Sequence, residues 1–213
     1  YPETIPDWLM EWLPETGGDL AGNVGPARLD YRYFAQGNLL ACAAGLATAD
    51  QAHALMSLIA QRYDDLIGRV PLKLCFPALT GQDWRTLTGC DPKNRPWSYH
   101  NGGNWPTLLW LLVLVGQQTG AQETVERALH EAGQRLVRDD WPEYYDGPRG
   151  RLVGQQARRR QTWSAAGYIV ARQLLDDPRR AELLRLGQSV EAASCTAGSV
   201  EARTGGSVGE GTD

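Results

Sequence analysis

Two stretches of the chain concentrate side chains that can do chemistry. The first is "NRPWSYHNGGNWPTLLWLL", residues 94–112, where Trp97, Ser98, Tyr99, His100, Asn101 and Asn104 crowd around the flexible pair Gly102 and Gly103. The second is "DDWPEYYDGPRGRLVGQQARRRQTW", residues 139–163. There Glu143 sits between Pro142 and the rings of Tyr144 and Tyr145, with Asp146 just after and Arg158, Gln161 and Trp163 further on. Rings mixed with amides, carboxylates and an arginine suit a sugar. The rings stack on the apolar face of the pyranose or furanose, and the polar groups hydrogen-bond its hydroxyls. Breaking a glycosidic bond then takes two carboxyl groups, one to protonate the leaving oxygen and one to act as base or nucleophile. Glu143 is the candidate for one of them.

Each of these residues has a plainer alternative. A carboxylate beside rings can be structural, because ion-pair networks perturb carboxylates as active sites do. Asp146 before a glycine fits a turn. His100 can be a histidine satisfied by its neighbours, and Trp105 and Trp110 fit a core. Accumulation favours a site: two long loops carry the same ring-and-amide chemistry, and both run into apolar helices.

The elements that must position these loops read as helices. Apolar spacing predicts helices over 5–13, 38–47, 50–66, 104–120, 123–137 and 161–175. Asp50 is the expected N-cap of the third, and Asp177-Pro178 opens a short final helix as N-cap and first-turn proline. Strand signals are scarce; "RLVG" at 151–154, after "YYDGPRG", reads as half of a small hairpin. The expected fold class is therefore all-α, built of helix pairs joined by loops. Loops longer than about 12 residues without structure of their own tend to carry function.

Composition narrows the classes. In 213 residues, 42% are apolar, enough for a sizeable core and too many for an unfolded chain. A net charge of -4 argues against a nucleic-acid partner. Arg158, Arg159 and Arg160 form the one basic run, which fits a solvated face. The cysteines 42, 75, 90 and 195 contain no CxxC pair and no histidine completes a zinc set, so neither metal nor other cofactor is expected. Cys42 and Cys75 lie in apolar surroundings, as in a reduced, cytoplasmic setting. No run is long enough to span a bilayer, so no membrane partner is expected. The first residues, starting at Tyr1, read as mid-domain sequence of a longer protein. The segment 187–213, "GQSVEAASCTAGSVEARTGGSVGEGTD", has no apolar period and reads as a disordered tail after a domain over 1–186.

Long motifs give a sharper indication. "DPKNRPWSYHNGGNWPTLLWLL", "WPEYYDG" and "QARRRQTWSAAGY" closely resemble signature segments of the neutral/alkaline invertases, a sucrose-hydrolysing glycoside hydrolase family of plants and cyanobacteria. "GNVGPARLDYRYFAQGNLLA" and "GRVPLKLCFPAL" are similar to further segments of that family, in the same order, so the resemblance runs from Tyr1 to about Pro178. It implies an (α/α)6 barrel with the sugar pocket at one end, and hydrolysis of sucrose to glucose and fructose without a metal. It implies an inverting mechanism with an Asp as general acid and a Glu as general base. The Glu maps to Glu143. Asp30, Arg32, Trp97, His100, Asn101, Asn104, Tyr144, Asp146, Arg158, Gln161 and Trp163 fall in the matched segments and are expected to line the pocket or brace it.

The departures from the family pattern matter as much. The family's acid lies in a segment resembling DSGLWW, which this sequence lacks, and about half of the barrel helices are missing. The chain thus resembles the C-terminal half of an invertase, with a base and no acid. An open half-barrel would expose apolar helix faces and favour a homo-oligomer. Two alternatives follow: a catalytically inactive helical half-domain, or a glycosidase for another glucoside.

Overall fold

The structure is a computed structural model, and it describes residues 5–25 and 28–184. The segment expected to be a tail, with Cys195, lies outside the described residues. What is described is mostly helical, as expected. In order come α1 (Asp7–Trp12), β1 (Asn23–Gly25), β2 (Arg28–Asp30), β3 (Tyr33–Phe34), α2 (Ala35–Ala43), α3 (Ala49–Gln61), α4 (Tyr63–Leu66), β4 (Cys75–Phe76) and α5 (Gly81–Thr88). Then follow α6 (Leu109–Gln118), α7 (Gln122–Arg138), β5 (Tyr145–Asp146), β6 (Leu152–Val153) and α8 (Thr162–Asp176). A single 3-10 turn covers Pro106–Leu108, and a longer 3-10 stretch covers Pro178–Leu184.

Helix α6 is the axis of the packing. Its sequence LWLLVLVGQQ is apolar all round, and Leu109 and every residue from Leu111 to Gly116 are buried, as an interior helix requires. It packs on α8, α2, α7 and α3, most extensively on α8. Helix α7 covers one flank with Val125, Ala128, Leu129, Ala132 and Leu136, a single stripe at helical spacing. Helix α8 buries Ser164, Gly167, Ala171 and Leu174. The small ones let it come close: a Cβ on Gly167 would lie 2.8 Å from the Thr107 carbonyl oxygen.

Two expected helix starts move and one expected helix breaks, each for a local reason. Thr48, not Asp50, caps α3; its hydroxyl accepts from the Gln51 N–H while the Gln51 side chain accepts from the Thr48 N–H, a complete capping box. The helix expected at Asn104 begins at Pro106 instead. Pro106 occupies the first turn, and the residue before a proline is pushed to extended backbone, as Trp105 is at φ -120°, ψ 101°. Asn104 is itself extended, paired with Lys73 on one side and Tyr145 on the other. The third helix expected over 50–66 breaks at Arg62 (φ -105°, ψ 34°), leaving α4 as a separate turn.

The expected hairpin is present as β5 and β6, with Tyr145 opposite Val153 and Asp146 opposite Leu152. Two further antiparallel pairs join β1 to β2 and β3 to β4. The β3–β4 pair brings Phe34 opposite Cys75 and so ties the start of α2 to the segment behind the candidate site.

Two measurable consequences follow. Gly167→Ala ordinarily strengthens a helix by about 1 kcal/mol. Here the methyl meets backbone, and a net loss of about 1–3 kcal/mol in urea unfolding is expected; a neutral or stabilising result would refute the close approach. Asp19 lines a small cavity with Asn38 and Gln51, and burial pushes its carboxyl up from 3.8 to about 6. The folded state therefore holds an extra proton between these values, so this group's contribution to stability is lost as pH rises through that window. Asp19→Asn should flatten that slope and be the more stable form at pH 7, measured as unfolding midpoints at pH 4 and 7.

Candidate active site

The loop 97–104 crosses between the segment 72–76 on one side and the segment 143–146 on the other. Backbone pairing holds it there. Leu74 N–H donates to Gly103 O (2.9 Å), Trp105 N–H to Leu72 O (2.7 Å), Asn104 N–H to Tyr145 O (2.9 Å) and Tyr145 N–H to Asn104 O (2.8 Å). The two sequence segments that carry the chemistry are thereby adjacent, although 41 residues separate Asn104 from Tyr145 in the chain.

Glu143 is 8% exposed. Its N–H donates to Arg158 O at 2.8 Å, and its Oε2 accepts the Arg158 N–H at 3.3 Å. Two more backbone bonds continue this pairing: Arg160 N–H to Asp140 O (2.8 Å) and Gln161 N–H to Trp141 O (2.9 Å). The Ser164 hydroxyl, in the first turn of α8, donates to Pro142 O at 2.9 Å. The segments WPE and ARRRQ are thus laced together, and α8 anchors both.

Around this carboxylate stands a row of rings. Tyr144 stacks on Trp105 (centroids 5.4 Å, planes 19° apart) and meets Tyr99 edge-on at 5.2 Å. His100 stacks on Tyr99 at 3.8 Å. Trp163, 46% exposed, stands edge-on to Trp105 at 5.9 Å. Tyr99, His100, Trp105, Trp110 and Trp163 line a cleft of about 490 Å3 that runs down between α2 and α6, with Gln36 and Leu40 on its far side. Burial lowers the His100 pKa below the usual histidine value, the Lys93 ammonium lowers it further, and Glu143 and Asp91 oppose both. His100 thus feels the Glu143 carboxylate.

The other candidate residues divide into bracing groups and groups outside this row. Asn101 is buried; its Oδ1 accepts the Leu79 N–H (2.7 Å), and its Nδ2 donates to Leu79 O and Asn94 O. Asn104 is fully buried, with Nδ2 bonded to Ile67 O (2.9 Å) and Val70 O (2.7 Å). Both amides face inward and brace. Asp146 Oδ2 accepts the Gln155 N–H within the hairpin at 2.9 Å. Asp30 and Arg32 pair with each other, with Arg32 Nη2 2.6 Å from Asp30 Oδ2. Trp97 turns away from the cleft, toward Phe76 at 5.8 Å. Arg158 touches Glu143 through its backbone while its side chain is exposed, and Gln161 caps α8 through its carbonyl. Among the described residues no cluster of three or more His, Cys, Asp or Glu is placed to hold a metal ion.

The cleft is lined largely by rings, and Tyr144, which stacks on its Trp105, is the residue next to the buried Glu143; comparison with known proteins gives the chain a lineage. The family model described as alkaline and neutral invertase matches residues 1–178. This chain belongs to the alkaline and neutral invertase family. Relatives include Cytosolic invertase 1 of Oryza sativa subsp. japonica, 53% identical over 185 residues. Probable alkaline/neutral invertase F of Arabidopsis thaliana is 50% identical over 185 residues. Neutral/alkaline invertase 1, mitochondrial, of rice is 49% identical over 191. These alignments cover 87%, 87% and 90% of this chain but 33%, 37% and 30% of the respective relatives. The chain spans about a third of the length of the curated relatives it matches.

One residue of the site was passed over in the sequence. Lys73 is 0% exposed, and its Nζ donates to Asn104 Oδ1 (3.0 Å) and Gly102 O (3.2 Å) from behind the loop. A lysine between two leucines in "PLKLC" is the signal that marks it. Truncating Asn104 to alanine would leave Ile67 O, Val70 O and the Lys73 ammonium short of a partner at once. A loss of about 2–4 kcal/mol is expected in urea unfolding of Asn104→Ala. A loss under about 1 kcal/mol would show that the Asn104 amide is not the brace described.

Proposed function

We propose that this chain supplies the general-base wall of a sucrose-hydrolysing site. Glu143 activates the attacking water, His100 and Trp163 contact the sugar, and Tyr144 and Trp105 back them. The observation that carries this is the clamped carboxylate: Glu143 is buried, held at both its N–H and its Oε2 by Arg158, and next to a row of rings that opens on a cleft. Family membership and the names of these relatives, invertases, support the substrate class. A fixed carboxylate with exposed rings around it can orient a water against a sugar carbon, which is the task of the base in an inverting hydrolysis.

The acid belongs to the part of the relatives' length that this chain does not span. In an inverting pair the two carboxyl groups stand about 6.5–9.5 Å apart to leave room for water. We take helices α2, α6 and α8 with α3 and α7 as part of an (α/α)6 barrel, with one domain over 1–186. Asp30, Arg32, Trp97, Asn101, Asn104, Asp146, Arg158 and Gln161 then shape the pocket, most of them by bracing. Relatives carry cytosolic, mitochondrial and chloroplastic names. For this chain a cytoplasmic setting fits the free thiols of Cys42, Cys75 and Cys90. A second possibility is a half-domain inert by itself, favoured by the span of about a third of the relatives.

A chimera tests this directly. Residues 1–178 would replace the matching third of the rice Cytosolic invertase 1, and glucose release from sucrose would be followed. Activity is expected, with Glu143→Gln lowering it by about 10²–10⁴. A chimera that folds and releases no glucose would overturn the site, and an active Glu143→Gln chimera would overturn the role of Glu143. Turnover by the unaided 213-residue chain would remove the inert half-domain.

A further inference from the structure

Lys73 lies behind the cleft, and its polar contacts converge on one loop. Its ammonium bonds Gly102 O and Asn104 Oδ1 and sits 5.2 Å from the centroid of the Trp97 ring. No carboxylate of the described residues is within ion-pair distance of it. Burying an ammonium without an ion pair is costly. A methionine would fill the same space against Trp97 without that cost, so packing alone does not account for a lysine here.

The loop it grips needs a grip. Trp97 (φ 64°) and Tyr99 (φ 47°) both hold left-handed backbone, which side-chain-bearing residues seldom adopt. Such a conformation persists where surrounding contacts over-determine it. Asn101 and Asn94 tie the loop to its neighbours, Asn101 through Leu79 and Asn94 O, and Asn94 Oδ1 by accepting the His100 N–H at 3.0 Å. Lys73 holds it from within. Between these contacts the loop presents Tyr99 and His100 to the cleft. Through Asn104, whose backbone is bonded both ways to Tyr145, the same ammonium also backs the segment that begins at Glu143.

We propose that Lys73 is a positioning residue of the sugar site. Its ammonium, sealed behind the cleft, fixes the loop 97–104 so that Tyr99 and His100 face the substrate, and through Asn104 it keeps that loop in register with the Glu143 segment. This rests on the sugar-site assignment above for its purpose, and on the contacts alone for its mechanics. Supporting it, burial lowers Lys73 from 10.5 to about 8, opposed by Cys75 on its own segment and by Asp65 in α4. From the loop itself only a carbonyl, an amide oxygen and a ring face it. Its proton is held less tightly than that of a free lysine, and Trp97 stands close enough to report its loss.

The test uses the 213-residue chain as wild type, Lys73→Met and Lys73→Arg. In NMR the Trp97 indole N–H should titrate with a midpoint near pH 8 in the wild type. It should stay flat in Lys73→Met, and flat to pH 10 in Lys73→Arg. At pH 7 the Gly103 and Asn104 amides of Lys73→Met should exchange at least tenfold faster while Leu112 and Leu114 in α6 keep their protection. Lys73→Arg should recover most of that loss. Protection lost equally in loop and α6 would overturn the proposal. In the chimera, Lys73→Met should lower kcat/KM for sucrose about tenfold; kinetics equal to wild type would also overturn it. A chimera inactive even as wild type would sink the sugar-site assignment alone, since the loop measurements still decide what Lys73 holds.

Discussion

Asn104 is where the candidate site is tied together. Its side chain bonds the carbonyls of Ile67 and Val70 and accepts from Lys73, and its backbone pairs with Tyr145. Three segments distant in sequence meet at this one fully buried residue. A buried polar side chain is tolerable only when its groups are satisfied. Here both amide hydrogens and the carbonyl oxygen are engaged, so the three segments hold one relative placement. Gly150 shows how tight that placement is: a Cβ there would come within 2.8 Å of the Asn104 side chain.

This node explains how a loop rich in polar groups survives beside an interior helix. Residues 97–104 run straight into Pro106 and then into α6, which is apolar on every face. A polar loop at that point would strand its amides if it did not carry its own partners. It does carry them: Ser98 pairs with Asn101, Gly103 with Tyr99, and Trp105 Nε1 donates to Tyr99 O at 3.0 Å. What remains on the outer side, the His100 ring and the half-exposed Trp163, is what the cleft can offer a ligand.

Much of the frame was legible in the sequence, and the rest was hidden for identifiable reasons. Helices α6, α7 and α8 bury a stripe or a whole surface, and burial leaves an apolar period to read. Helix α5 is short, buries none of its residues and went unseen. The pairs β3–β4 and Lys73–Asn104–Tyr145 are made by backbone atoms across long separations, which side-chain types do not encode. In the site, rings and the carboxylate were legible because their chemistry is specific. The amides of Asn101 and Asn104 were not, since an amide that binds a sugar hydroxyl and one that binds a carbonyl are the same residue type. Their neighbours show the difference: both are buried, Asn101 bonded to backbone and Asn104 to backbone and to Lys73.

The division of labour then has a physical logic. Groups that meet a ligand must be exposed on one side and immobile on the other. His100 and Trp163 meet the first condition, and they meet the second through Tyr99 and Trp105, on which they rest. Those two rings are in turn set against Tyr144, one residue from Glu143. Displacing any ring of the row therefore displaces the carboxylate's neighbour as well. The bracing amides and the buried Lys73 lie one layer further in, where water does not compete for their hydrogen bonds and each is stronger for it. The placement of Glu143 against the rings is thus set from behind the cleft rather than inside it, which leaves the cleft's own surface free to fit its ligand.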